Sequence, residues 1–200
     1  ELHRAVAQAR LAFELIASRW GAPAEVVDGA YTDLATRYSE PHRHYHTLEH
    51  IEEVLTVVDR LGGGIEVQFA AWFHDAIYDT SYSDSEERSA AYGADVLARL
   101  GAPAAVIAEV KRLVRLTAAH VADPADVNGA ILTRADLSIL SSDAARYDRY
   151  AHDARAEYAH VSDDAWREGR AVVLRSLLAT TDDAAARSNV ARELASLSMA

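Results

Sequence analysis

Apolar residues recur every three or four positions along almost the whole chain, the period of one face of a helix rather than of a strand. Leu2, Ala5, Ala9, Phe13, Ile16 and Trp20 form a first stripe that stops at Gly21 and Pro23. Val27, Ala30, Tyr31 and Leu34 continue in a second helix, ended before Pro41. Ile51, Val54, Leu55 and Val58 mark a third over 50–61, broken by Gly62-Gly63-Gly64. Positions 65–78 are the most apolar, with Phe69, Ala70, Trp72, Phe73, Ala76 and Ile77 on nearly every side. That pattern predicts a helix in the middle of the fold.

Ser83, with Glu86 three residues on, predicts a capping box for a helix running to Leu100 and closed by Gly101. Pro103 sits where a first-turn proline would, ahead of Val106, Ile107, Val110, Leu113 and Val114. A polar turn at Asp123-Pro124 leads to a helix over 131–140. Ser142, Ser162 and Thr180, each with acids close behind, predict three further N-caps. No hairpin, βαβ alternation, linker or internal repeat interrupts the series. The expectation is an all-α fold with one domain over 1–200, its motif-bearing core over about 38–160 and the helices of 161–200 packed on it.

Composition narrows the function more than the fold. At 200 residues the chain is long enough to bury a real core. No apolar run approaches the roughly 20 residues needed to span a bilayer, so no membrane partner is expected and the cytoplasm is the expected location. The chain opens on Glu1 rather than Met, which leaves room for an upstream piece or a removed leader. A net charge of −11 opposes binding to a nucleic acid polymer or an anionic membrane. The absence of cysteine rules out disulfides and thiolate metal sites. Apolar faces near both termini leave room for a homodimer.

Against this acidic background, "PHRHYHTLEH" over 41–50 gathers four of the nine histidines. His46 and His50 are four apart, one turn on a helix. His74-Asp75 lies inside the most apolar stretch, "AAWFHDAIYD", and Asp136 inside "TRADLSIL". Burying an unpaired carboxylate or imidazole in such surroundings costs several kcal/mol, about what a bound divalent cation offsets. Two His and two Asp give a mixed nitrogen and oxygen set that suits Mn, Fe, Co, Ni or Zn better than Ca. Each cluster also has an ordinary structural alternative. His46 and His50 read as surface residues of a polar helix start, and His74-Asp75 as a buried pair satisfied by backbone or tyrosine hydroxyls. Asp136 reads as a cap or as a partner of Arg134. Their joint occurrence is what points to a metal.

An H…HD…D order with these spacings resembles the HD superfamily of metal-dependent phosphohydrolases. "YHTLEHIEEVL", "FHDAIYD", "SEERSA", "DLSIL" and "YDRYAHDARAEY" together resemble its bacterial branch, from about Tyr38 to Leu197. The first motif is also similar, more distantly, to the catalytic core of cyclic-nucleotide phosphodiesterases. The resemblance implies an α-helical bundle, with His50, His74, Asp75 and Asp136 as metal ligands and His46 as the general acid. Asp75 or Asp136 would help orient or deprotonate the attacking water. The implied substrate is a small phosphorylated, nucleotide-like metabolite, with Arg43 paired to its phosphate. His120, Asp79 and Glu86 are further candidates for substrate binding or a second metal. His120 has a helix-end role as its alternative, and Asp79 and Glu86 have exposure. Tyr147, Tyr150, Arg155, Glu157 and Tyr158 read mainly as packing with polar tips, and His3, His152 and His160 as surface residues. Two other functions stay open: a di-iron oxygenase on the same helix plan, and a nucleotide-sensing domain without catalysis.

Overall fold

Helix ends fall where side chains or glycines can satisfy the backbone groups a helix leaves unpaired. In the computed structural model, which describes residues 2–199, all regular structure among the described residues is helical, in agreement with the predicted class. The side chains of Leu2, His3, Ala5 and Val6 lie outside the description, and with them the predicted roles of Leu2, Ala5 and His3. The chain divides into two compact units, residues 1–136 and 137–200.

The first unit holds α1 (Leu2–Ala17), α2 (Ala24–Arg37), α3 (Leu48–Arg60), α4 (Ile65–Phe73), α5 (Ser85–Arg99), α6 (Ala104–Leu116) and α7 (Val127–Asp136). Helix α4 packs against α3, α5, α6 and α7, the central place its all-round apolarity predicts. Its Trp72 ring meets Phe13 of α1 edge-on at 5.4 Å between centroids, and Phe69 stacks on Trp20 at 5.5 Å. The phenol of Tyr38 donates to the Trp72 carbonyl at 2.6 Å, so the buried hydroxyl is satisfied. Gly101 closes α5 as predicted: its φ of +84° is a left-handed value that glycine takes without a Cβ clash.

Several ends differ from expectation. Helix α4 stops at Phe73 instead of reaching 78, so His74 and Asp75 follow the helix rather than lie inside it. Helix α5 has Asp84, not Ser83, at its N-cap, and no side-chain cap bond forms. The Asp84 carboxylate is engaged by the Arg88 guanidinium at 2.8 Å instead. Pro103 takes the N-cap position of α6, one residue before the predicted first turn. The predicted helix over 131–140 is α7 followed by a tighter 3₁₀ turn, Leu137–Ser141.

That 3₁₀ turn opens the second unit, followed by α8 (Ala144–Glu157), α9 (Asp163–Thr180) and α10 (Ala184–Ser198). Helix α10 packs against the other three. Of the three predicted caps, Ser162 holds, accepting from the Ala165 N–H. Ser142 donates instead to the Ile139 carbonyl, and Asp143 caps α8; Thr180 ends α9, and Asp183 caps α10. Buried at the middle of this unit, Glu193 of α10 accepts from Arg170 of α9 at 2.7 and 2.9 Å and from the Tyr147 phenol of α8 at 2.7 Å. Arg155 donates to the Tyr158 and Val161 carbonyls and to Asp163, a packing role, and His152 and His160 are exposed. No helix among the described residues is long and apolar enough to cross a membrane.

Candidate metal centre

Three stretches of the first unit deliver four polar side chains to one place. Helix α3 presents His50 one turn inside its N-terminus; His74 and Asp75 follow α4; Asp136 is the last residue of α7. One ligand atom from each lies within 4.8 Å of all the others, a group able to hold a metal ion. His50 and His74 are each only 2 % exposed, so water cannot be the main partner of either ring.

The directions of these groups matter as much as their proximity. His74 Nδ1 donates to the Ala71 carbonyl at 2.8 Å, which turns Nε2 toward the carboxylates. That nitrogen lies 3.0 Å from Asp75 Oδ2 and 3.3 Å from Asp136 Oδ1. His50 Nε2 lies 3.1 Å from Asp75 Oδ2 and 3.3 Å from Asp136 Oδ1. Despite these distances the buried His50 Nε2 makes no properly directed hydrogen bond. A buried nitrogen this close to two carboxylates yet without a directed hydrogen bond is a poor hydrogen-bonding arrangement and one compatible with coordination. Two donors each about 2.1 Å from one transition-metal ion, at angles between tetrahedral and octahedral, stand about 3.0–3.4 Å apart. The four imidazole-to-carboxylate spacings fall in that range, so the residues fit a cation.

Electrostatics without a cation follows from the same packing. Burial pulls the His50 imidazolium down, but the Asp136 and Asp75 carboxylates outweigh it and hold the pKa up at about 9. His74 is likewise raised well above its ordinary value, against burial, by Asp75 and Asp136. Burial works against the Asp75 carboxylate, yet His74 and His46 keep it well below the usual range; His74 and His120 do the same for Asp136. Alternating charge stands in for a central ion.

The other predicted residues part company here. His46 does not share a helical turn with His50: it lies in the loop before α3, whose N-cap is Thr47. Its ring stacks on Tyr78 at 4.1 Å between centroids and stands edge-on to His50 at 5.7 Å, so it still borders the centre. His120 reaches the far oxygen of Asp136, Oδ2, at 3.2 Å, from a backbone with φ +52°, a left-handed value uncommon outside glycine but taken more often by His, Asn and Asp than by other residues. Asp79 Oδ1 accepts from the Ser81 amide and hydroxyl at 2.8 and 2.6 Å. Glu86, in the first turn of α5, is outside the four-residue group, as is Asp79.

Arg43 is the clearest correction. Its side chain has no exposed surface, and its guanidinium donates to Glu40 and to the His46, Asp75 and Ala76 carbonyls, which leaves no donor for a phosphate. The expectation failed because sequence shows that a cation is near the motif, not that backbone carbonyls await it. Tyr45 and Tyr78 were not singled out by sequence at all. Tyr45 lies against His50 at 4.7 Å and Tyr78 against His46, contacts that adjacency to a histidine does not announce. No family model, curated protein or solved structure matches this chain.

Proposed function

We propose that this chain is a metal-dependent phosphohydrolase of the HD superfamily, acting on a small phosphorylated, nucleotide-like metabolite. The observation that supports it is the convergence of His50, His74, Asp75 and Asp136 at coordination spacing, with a buried His50 nitrogen lacking a directed hydrogen bond. A divalent transition metal held there supplies Lewis acidity, lowering the pKa of a bound water and drawing charge from phosphorus. Asp75 and Asp136 each keep a carboxylate beside the site to orient the attacking water. His46 stands at the edge of the site, where a ring nitrogen gives its proton to the leaving oxygen. The Tyr78 face beneath that ring fixes its plane.

A second reading, with two metals and oxidative chemistry, draws on the contact between His120 and the outer oxygen of Asp136. Anaerobic purification with metal analysis separates the two: two irons per chain with oxygen consumption favours oxidation, and phosphate release stimulated by manganese or cobalt favours hydrolysis. For hydrolysis, a panel of nucleotides, cyclic dinucleotides and aryl phosphates with several divalent metals identifies the substrate. Asp75→Ala is expected to lose both bound metal and turnover. Wild-type levels of either in that variant overturn the assignment.

A further inference from the structure

Arg43 is a fully buried guanidinium in a loop, and all five of its N–H protons are accounted for. Nε donates to Glu40 Oε1 at 3.1 Å. Nη1 donates to the His46 carbonyl at 3.0 Å and to the Asp75 carbonyl at 2.7 Å. Nη2 donates to Glu40 Oε1 at 3.0 Å and to the Ala76 carbonyl at 2.8 Å. The Tyr38 and Tyr78 rings flank the group at 5.0 and 5.7 Å from its central carbon. None of these contacts involves a ligand atom of the centre.

The two carbonyls beyond α4 explain why an arginine is there. Helix α4 ends at Phe73, and the chain turns sharply through 74–76 to aim His74 and Asp75 at the same point. The turn leaves the Asp75 and Ala76 carbonyls pointing away from the helix, where they need donors. Arg43 supplies both, and the same nitrogen that holds Asp75 also holds the backbone of His46. One planar fork therefore fixes the residue bearing a metal-ligand carboxylate relative to the loop bearing the proposed proton donor. Lysine cannot replace it, because a single ammonium lacks the spread of donors to bridge three carbonyls and a carboxylate.

We infer that Arg43 is a positioning residue that sets the backbone of Asp75 and His46 around the metal site and touches neither metal nor substrate. This rests on the metal-binding reading above. Residues that hold metal ligands from behind typically contribute 10- to 100-fold in metal affinity. The test is Co²⁺ titration of the full-length protein, followed by visible absorption, for wild type, Arg43→Lys and Glu40→Gln. Arg43→Lys is expected to weaken Co²⁺ binding by about 10- to 100-fold and to alter the absorption bands, which report ligand geometry. Glu40 is 40 % exposed at its side chain and orients Arg43 through two of the five bonds, so Glu40→Gln disturbs the fork without emptying a buried site. It is expected to give the same spectral change in smaller measure.

Wild-type affinity and spectrum in a folded Arg43→Lys overturn the inference and leave the metal centre standing. If Arg43→Lys fails to fold, Glu40→Gln decides in its place, and an unchanged spectrum there overturns the inference. Failure of the wild type itself to bind Co²⁺ removes the metal reading, and this inference with it.

Discussion

His50 and Asp75 carry opposite consequences of one contact. His50 titrates at about 9 in the folded chain against 6.5 for an ordinary imidazole. Its contribution to metal-free stability is therefore fully present below pH 6.5 and is lost as pH rises through about 9. Asp75 and Asp136 are held below the ordinary 3.8, so their contribution is present above that value and lost as pH falls further. In EDTA, the urea midpoint is expected to be highest between these limits and to decline from pH 6.5 to 9. A divalent cation reverses the alkaline slope, because it must displace the imidazole protons and binds more tightly as they leave. Urea titrations at several pH values, with EDTA and with Co²⁺, test this; a midpoint in EDTA that rises between pH 6.5 and 9 contradicts it. His74, Asp75 and Asp136 of the candidate centre were legible in sequence because polar groups stood out in apolar segments, and His50 because histidines cluster over 41–50. Arg43 was not, since its partners are carbonyls, which every residue has.

Helix α4 links packing to the site through its last residue. Gly93 of α5 lies so close that an added Cβ would meet the Phe73 ring at 2.9 and 3.0 Å and the Phe73 Cβ at 3.1 Å. Phe73 is fully buried and immediately precedes His74, so it has little freedom to yield. Alanine gains about 1 kcal/mol in helix propensity over glycine, while overpacking costs typically about 1–3 kcal/mol. The overlap with Phe73 wins. Gly93→Ala is therefore expected to lower stability in urea unfolding and to weaken Co²⁺ binding, with unchanged stability as the contrary result. At this scale sequence located the helices and misplaced several of their ends. Periodicity reports a buried face, but Asp143 and Asp183 became caps in place of Ser142 and Thr180 through local backbone direction. The stop of α4 was hidden for a related reason: Ala76, Ile77 and Tyr78 carry the apolar pattern on past His74-Asp75, so periodicity does not mark the end at Phe73.

Across the whole molecule, the two units are built on different chemistry. The first has a continuous apolar core crowded with aromatic rings, whereas the second encloses the Arg170–Glu193 ion pair and the Tyr147 phenol. Their division at Asp136–Leu137 was not legible, because no glycine, proline or charge run marks it. An exposed pair such as Arg192–Asp148 contributes little, about 0–1 kcal/mol. Removing one partner of a buried pair costs about 3–5 kcal/mol, since the other charge is left uncompensated. Glu193→Ala should therefore destabilise the chain by about that much, and Asp148→Ala by far less, as read from calorimetric unfolding; equal effects contradict the account.

His74 and Asp136 are 62 residues apart along the chain yet face a common point. An ion held by both would close a long loop, trimming the freedom of the unfolded chain in the way a covalent bridge does. In a protein without cysteine, chelation would then be the counterpart of reduction: such a staple would open and reseal with metal supply, and no covalent bond would have to break.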